Sequence, residues 1–260
     1  MSTRELLLHA WTWRPIVAMI VAAGLVLHGV RLRLSRPSRT LALVAACAAV
    51  VLAVASPIEA LARGTLFSAH MLQHMLLALV APPLLLLALP STKSSTQAAS
   101  PARRAPAVAT WALGVGAMWI WHAQALCNAA ATSDAVRALQ NISLPAMGLA
   151  FWWPILGPRV DQRLPDMTAI AYLFTACVAC TLLGVSITFS PVVVCSAYGH
   201  AADPLGALPL VREWGLTPAV DQQLGGLLMW VPGCTAYAGA ILAIVARFYG
   251  APHIKVQGAS

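Results

Sequence analysis

The fold is decided by the apolar run 67–89, which carries the sequence HMLQHM at residues 70–75. The run is as long as the ~20 residues that a helix needs to cross a bilayer. His70 and His74 lie four residues apart, so a helix places both imidazoles on one face, separated by about 6 Å along its axis. Imidazole is costly inside hydrocarbon and normally faces a bundle interior, a cavity or a partner. The pair therefore indicates a site, although two rings that only hydrogen-bond neighbouring helices are the alternative.

The side chains around the two imidazoles favour a soft metal. Met71 and Met75 repeat the four-residue spacing, and thioether with imidazole is a ligand set that selects Cu(I). A structural zinc site shows four closely spaced Cys or His, and a zinc-protease helix needs a Glu where this motif has Gln73. A b-type haem held between His residues on facing helices is the alternative that the sequence leaves open.

The composition identifies an integral membrane protein. Of 260 residues 60% are hydrophobic and only 9% are charged, whereas a soluble domain has about a quarter charged residues. The net charge of +8 comes from short clusters between apolar runs, where basic residues set orientation and contact anionic lipid. No nucleic-acid-binding pattern accompanies them.

Seven apolar runs are long enough to span the membrane, so we predict an all-α integral membrane protein with one seven-helix domain over residues 1–260. The predicted spans are 13–32, 40–55, 67–89, 108–126, 136–156, 166–189 and 221–248. Pro82 and Pro83 should interrupt the third span because each removes a backbone donor. Gly225 and Gly226 should let a neighbouring helix approach the seventh span closely.

Basic residues predict the orientation. Eleven of the sixteen Lys and Arg fall within, or no more than two residues from, the connections after spans one, three and five and the C-terminal tail. Because cytoplasmic loops are rich in Lys and Arg, the N-terminus is predicted outside and the C-terminus in the cytoplasm. Lys93, Arg103 and Arg104 then lie on the cytoplasmic side.

With this orientation, polar residues from several spans reach one layer near the outer face. We predict that His70, His74 and His122 converge on one metal ion, since spans three and four are antiparallel neighbours. Further ligands are expected among Met71, Met75, Met118, Cys195 and His200. Groups that orient the ligands are expected among Gln73, Asn141, Asp221, Gln222 and Gln223.

The cysteines divide by their predicted depth. Cys127 and Cys195 are predicted near the outer surface and close together, either bridged by a disulfide or available as soft ligands. Cys177 and Cys180 lie near the middle of span six, where we interpret them as small residues at a helix contact and not as a metal pair.

Two stretches carry a family resemblance: HMLQHM at 70–75 with its two prolines, and DQQLGGLLMWVPG at 221–233. With Trp121-His122 and FWWP at 151–154, they make the chain resemble the CtaG-type cytochrome c oxidase assembly proteins of the caa-oxidase kind. The resemblance extends over about residues 67–233. Met229 also matches the family pattern, and the resemblance implies that it supports the ligands from a neighbouring position.

The resemblance implies a non-enzymatic, multi-pass protein of the bacterial inner membrane that assembles haem-copper oxidase and delivers copper to it. The implied partners are oxidase subunit I or II and a periplasmic copper chaperone, in addition to membrane lipid. One departure matters. Where the family commonly has His early in span five, this sequence has Leu139-Gln140-Asn141, and Asn is a poor copper ligand.

Overall fold

The computed structural model describes residues 2–12, 24, 37–92, 106–200, 203 and 205–250. These residues are mostly helical and include no β-strand, which confirms the predicted all-α class. The predicted first span, 13–32, lies outside the described residues except for Gly24. So do Lys93, Arg103 and Arg104, and the tail after Gly250.

The helices follow the apolar runs, with short additional helices in the connections. They are α1 (Thr3–His9), α2 (Pro37–Ala55), α3 (Pro57–Ala62), α4 (Phe67–Ala88), α5 (Ala107–Trp121), α6 (Gln124–Thr132), α7 (Asp134–Leu156), α8 (Asp166–Thr188), α9 (Ser196–Gly199), α10 (Leu208–Glu213) and α11 (Pro218–Gly250). A single 3₁₀ turn, Val160–Gln162, lies between α7 and α8.

Four of these helices, α2, α4, α8 and α11, are long and apolar enough to cross a bilayer. The protein is therefore a helical membrane protein, while the count of seven spans stays a prediction. Helix α7 has 23 residues but carries Arg137, Gln140 and Asn141 in its first half. The predicted end of span four at 126 is wrong, because α5 ends at Trp121 and the separate helix α6 follows.

The middle of α4 is a π-helical segment, Met75–Val80, that lies immediately before the two prolines. A proline has no N–H and crowds the carbonyl four residues earlier, so a wider turn accommodates Pro82. The carbonyl oxygen of Ala78 instead contacts α7, where a Cβ added to Gly148 would stand 2.4 Å from it. The interruption expected from the prolines is thus a π segment on which α7 packs closely.

Helix α11 packs against both α8 and α4 through small residues. A Cβ added to Gly226 would lie 2.3 Å from the Thr188 hydroxyl oxygen of α8. One added to Gly225 would lie 2.5 Å from the ring of Phe67, at the start of α4. The predicted close approach at these two glycines is confirmed.

Cysteines of α8 lie in the same interface with α11. The sulfur of Cys177 is 2.9 Å from that of Cys234, and the sulfur of Cys180 is 3.9 Å from the hydroxyl of Tyr237. Both cysteines therefore occupy a helix contact, as their interpretation as packing residues predicts.

Cross-links between connections define one end of the bundle, which we call the histidine end because α4 enters there with His70. A disulfide joins Cys127 of α6 to Cys195, with their Cα atoms 5.9 Å apart. Nearby, Arg63 forms an ion pair of 2.9 Å with Asp134. The connections that follow α3, α5 and α8 therefore meet at this end.

A second set of contacts defines the opposite end. The backbone N–H of Thr92, just after α4, donates to the carbonyl of Pro158 after α7 at 2.8 Å. Arg247, in the last turn of α11, pairs with Asp166 in the first turn of α8. The helices between these two ends therefore alternate in direction.

Candidate metal centre

Three imidazoles lie together in the core at the histidine end. His70 and His74 occupy the first two turns of α4, and His122 is the residue that ends α5. The ring centroids of His70 and His74 are 4.4 Å apart, and those of His74 and His122 are 5.3 Å apart. Their exposed fractions are 0%, 1% and 7%, so the structure brings all three predicted histidines into one buried cluster.

The ring nitrogens of His70 and His74 lack partners. Within the part of the chain that the structure describes, neither nitrogen of either ring has a hydrogen bond of ordinary geometry. Leaving a buried polar atom unpaired costs ~1–3 kcal/mol, and folded proteins pair the great majority of such atoms. These unpaired nitrogens need an explanation, and a metal ion that accepts the one lone pair of each neutral ring is one that the residues fit.

His122 is oriented by its own helix and faces a thioether. Its Nδ1 lies 2.6 Å from the carbonyl oxygen of Met118, so the neutral ring donates its proton there and keeps a lone pair on Nε2. That Nε2 lies 3.2 Å from the sulfur of Met71. Two ligands of one ion, about 2.0 and 2.3 Å from it, are roughly 3–3.5 Å apart.

His, Cys, Asp and Glu side chains alone do not complete a site. Among the described residues, no three of them are arranged to hold a metal ion as they stand. The thioether of Met71 is the additional donor that the cluster offers. A metal site here would therefore consist of imidazole and thioether, and its ligands would have to reorient around the ion.

Gln73 ties the histidine face of α4 to the elements before it. Its side-chain amide donates to the carbonyl of Ala53 at 2.8 Å and to the carboxylate of Glu59. Glu59 is only 2% exposed, and its other oxygen accepts from Arg63 at 3.0 Å. Gln73 therefore anchors α4 to α2 and α3, while its role in positioning the ligands stays a prediction.

Asp221 holds the first turn of α4. Its two carboxylate oxygens accept the backbone N–H groups of Phe67 and Ser68 at 2.7 and 3.0 Å. These donors have no partner within their own helix, and a carboxylate also suits the positive end of the helix dipole. Both oxygens of Asp221 therefore cap the helix that carries His70, and its expected role in orienting the ligands stays a prediction.

The chain matches a known protein family. A family model described as "Cytochrome c oxidase caa3 assembly factor (Caa3_CtaG)" matches residues 22–251. The chain belongs to this family. The resemblance identified from the sequence is confirmed, and the match covers the whole described bundle from α2 to α11. Comparison with curated proteins and with solved structures finds no match.

In this assembly factor, the other two polar residues at the start of α11, Gln222 and Gln223, do not bond the histidine rings. The amide of Gln222 accepts the N–H of Val194 at 2.7 Å and donates to the carbonyl of Val192 at 3.1 Å. It therefore fixes the connection that precedes Cys195. Gln223 is exposed on α11, and its expected role in supporting the ligands stays a prediction.

Cys195 and His200 do not join the cluster in the assembly factor. Cys195 is bonded to Cys127, so its sulfur is not available as a ligand while the disulfide is intact. His200 ends α9 and is exposed, whereas the three clustered histidines are buried. The predicted proximity of Cys127 and Cys195 is confirmed, and the bridged alternative is the one that the structure has.

Two residues near the rings escaped the sequence analysis. Gln140 of α7 is 0% exposed and lies beside His74, whereas the predicted Asn141 is only half-buried. Tyr198 of α9 has its ring centroid 5.6 Å from that of His70, and its hydroxyl donates to the carbonyl of Ala62 at 2.8 Å. Burial raises the pKa of the Tyr198 phenol, so the hydroxyl stays a donor.

Proposed function

We propose that this oxidase assembly factor binds Cu(I) at the buried histidine cluster and passes it to a cytochrome c oxidase subunit. The role is non-enzymatic, because the chemistry required is ligand exchange and not the making or breaking of covalent bonds. Copper is cargo in this proposal, bound by His70, His74 and His122 with the sulfur of Met71.

The observation that carries the proposal is the set of unpaired donors. Neither ring nitrogen of His70 or His74 has a hydrogen bond of ordinary geometry, although the Gln140 amide lies beside His74 with both of its own polar atoms unpaired. The Nε2 of His122 lies 3.2 Å from the Met71 sulfur. Imidazole with thioether suits Cu(I) better than it suits zinc, magnesium or calcium. An ion would pair atoms that are otherwise costly to bury.

Release to a partner requires ligands that can reorient, and the two α4 histidines lie next to an irregular turn of their helix. The π segment begins at Met75, directly after His74, and π segments within α-helices are frequent at functional sites. We propose that rotation of the two α4 rings about their side-chain bonds brings them to the ion, while Gln73 and Asp221 hold the backbone of α4 in place.

The proposed location is the bacterial inner membrane, with seven spans and the histidine end on the outer side. Oxidase subunit I or II would receive the ion there, and a periplasmic copper chaperone would supply it. Single cysteines introduced at Val192 and Arg159, at opposite ends of the bundle, test this in a background without other accessible thiols. A membrane-impermeant maleimide should label Val192→Cys in intact cells and Arg159→Cys only after lysis; the reverse pattern would invert the orientation.

Copper retention tests the site itself. The full chain, purified in detergent with Cu(I) under reducing conditions, should retain at least one equivalent that a His70→Ala/His74→Ala variant loses. His200→Ala is the matched control: it removes an exposed imidazole at the same end and should change nothing. Equal copper in the wild type and in a His70/His74/His122 triple-alanine variant would overturn the proposal.

The same sample separates the two alternatives. A haem-binding redox protein would show a Soret band that depends on the histidines. A metal-free scaffold would support oxidase maturation equally well with the three histidines replaced. Loss of maturation with normal levels of the variant in the membrane is the result expected for copper delivery.

A further inference from the structure

A small cavity lies deeper in the bundle, next to the histidine cluster. Its volume is about 30 Å³, more than the 10–15 Å³ that one water or ion of similar size needs. The cavity is lined by Met75, Met118, Met147, Met229 and Cys180, among apolar and aromatic neighbours. Met75 follows His74 in the chain, and the Met118 carbonyl accepts from His122, so cavity and cluster adjoin.

The methionines are concentrated at this place. The chain has eight methionines, of which four line the cavity and a fifth, Met71, contacts His122. Methionine often fills irregular gaps in cores, and an apolar cavity of this kind normally stays dry. Methionines from four different helices, α4, α5, α7 and α11, line this one space. Met167, by contrast, is exposed at the start of α8.

We propose that this chamber is a second, deeper site for a soft monovalent cation, Cu(I), held by thioether sulfur without imidazole. Thioethers are neutral, soft ligands that select Cu(I) and bind hard cations poorly. Cys180 adds one more sulfur to the wall. The proposal rests on the proposed function only for the identity of the ion; the chamber would bind a soft cation whether or not the histidines do.

Two adjoining positions with different ligands give copper a path. An ion held by imidazole and thioether at the cluster would reach the chamber by exchanging ligands, because Met118 lines the chamber and its carbonyl oxygen contacts His122. The chamber would hold the ion near the middle of the bundle, among α4, α5, α7 and α11. This arrangement would allow the protein to deliver Cu(I) from within the membrane as well as from its outer surface.

The test counts soft cations in the full chain in detergent, with Ag(I) as a redox-inert probe and Cu(I) under reducing conditions. Wild type should bind two equivalents, and Met147→Leu/Met229→Leu should bind one, since leucine keeps the volume and removes the sulfur. Met167→Leu is the control and should bind two. His70→Ala/His74→Ala should keep one ion with only sulfur neighbours in X-ray absorption.

The outcomes separate the chamber from the histidine site. If Met147→Leu/Met229→Leu keeps the wild-type number of ions, the chamber is refuted and the histidine site stands. If the ion kept by His70→Ala/His74→Ala has nitrogen neighbours, or if none is kept, the chamber is also refuted. If the methionine variant loses an ion and the histidine variant loses none, the chamber stands and the proposed function is refuted. Selenomethionine protein with the histidine substitutions gives a check without loss of packing: a metal neighbour should appear at the selenium edge.

Discussion

Replacing Asp221 tests how the histidine helix is held. Its carboxylate is 2% exposed and accepts two backbone N–H groups, those of Phe67 and Ser68, from the first turn of α4. Removing it leaves both donors buried and unpaired and removes a negative charge from the positive end of the helix. The loss of this cap should also disturb His70, which lies less than one helical turn after Ser68.

The magnitude follows from the two bonds. A hydrogen bond to a charged group contributes ~1.5–3 kcal/mol, and loss of a helix cap costs ~0.5–2 kcal/mol. Because these contributions overlap, Asp221→Ala should lower the free energy of unfolding by about 3–5 kcal/mol. Asp221→Asn keeps one acceptor oxygen but turns an N–H₂ group toward the second donor, so about half of that loss is expected.

Reversible unfolding in mixed detergent micelles, followed by circular dichroism, measures both variants. Asp166→Asn is the matched control, because it removes a carboxylate whose ion pair with Arg247 is partly exposed and should contribute less than ~1 kcal/mol. A free energy of unfolding of Asp221→Ala within ~0.5 kcal/mol of the wild-type value would refute the capping role of Asp221. So would an equal loss for Asp221→Asn and Asp221→Ala, since then the retained acceptor contributes nothing.

Two further substitutions test the packing around the site. Cys127→Ser/Cys195→Ser removes a disulfide that closes a loop of 68 residues, so the free energy of unfolding should fall by ~2–5 kcal/mol; melting with and without reductant should differ for wild type and not for the variant. Gly148→Ala places a Cβ 2.4 Å from the Ala78 carbonyl oxygen and should destabilise by ~1–3 kcal/mol. Gly116→Ala meets no atom within 4 Å, so it should melt at or above the wild-type temperature.

The helix positions could be predicted wherever hydropathy alone decides them. Span six was predicted at 166–189 and α8 is Asp166–Thr188; span three was predicted at 67–89 and α4 is Phe67–Ala88. The prediction failed at the end of α5, where apolar residues continue but His122 turns its Nδ1 back to the Met118 carbonyl and ends the helix. An apolar run cannot reveal such a polar stop.

The meeting of three histidines could be predicted because alternating spans bring the start of α4 beside the end of α5. The polar partners could not be predicted in the same way. Asp221 bonds the N–H of Phe67, 154 residues earlier in the chain, and only the packing of α11 on α4 creates that contact. Gln140 and Asn141 differ by about 100° around α7, so the choice between them depends on a rotation that composition does not fix.

Two of the polar residues around the histidine cluster hold the backbone of α4 in place and do not bond the imidazole rings. Asp221 fixes the first turn of α4, and Gln73 ties the next turn to Ala53 and Glu59. In a purely structural network, the Asp221 carboxylate and the Gln73 amide would hydrogen-bond the imidazoles, because buried polar atoms are stabilised when paired. Here these two groups anchor helix α4 instead. The nitrogens of His70 and His74 lack hydrogen bonds of ordinary geometry, which costs stability. A site that must accept an ion and then give it up needs ligands without competing partners on a helix that does not move.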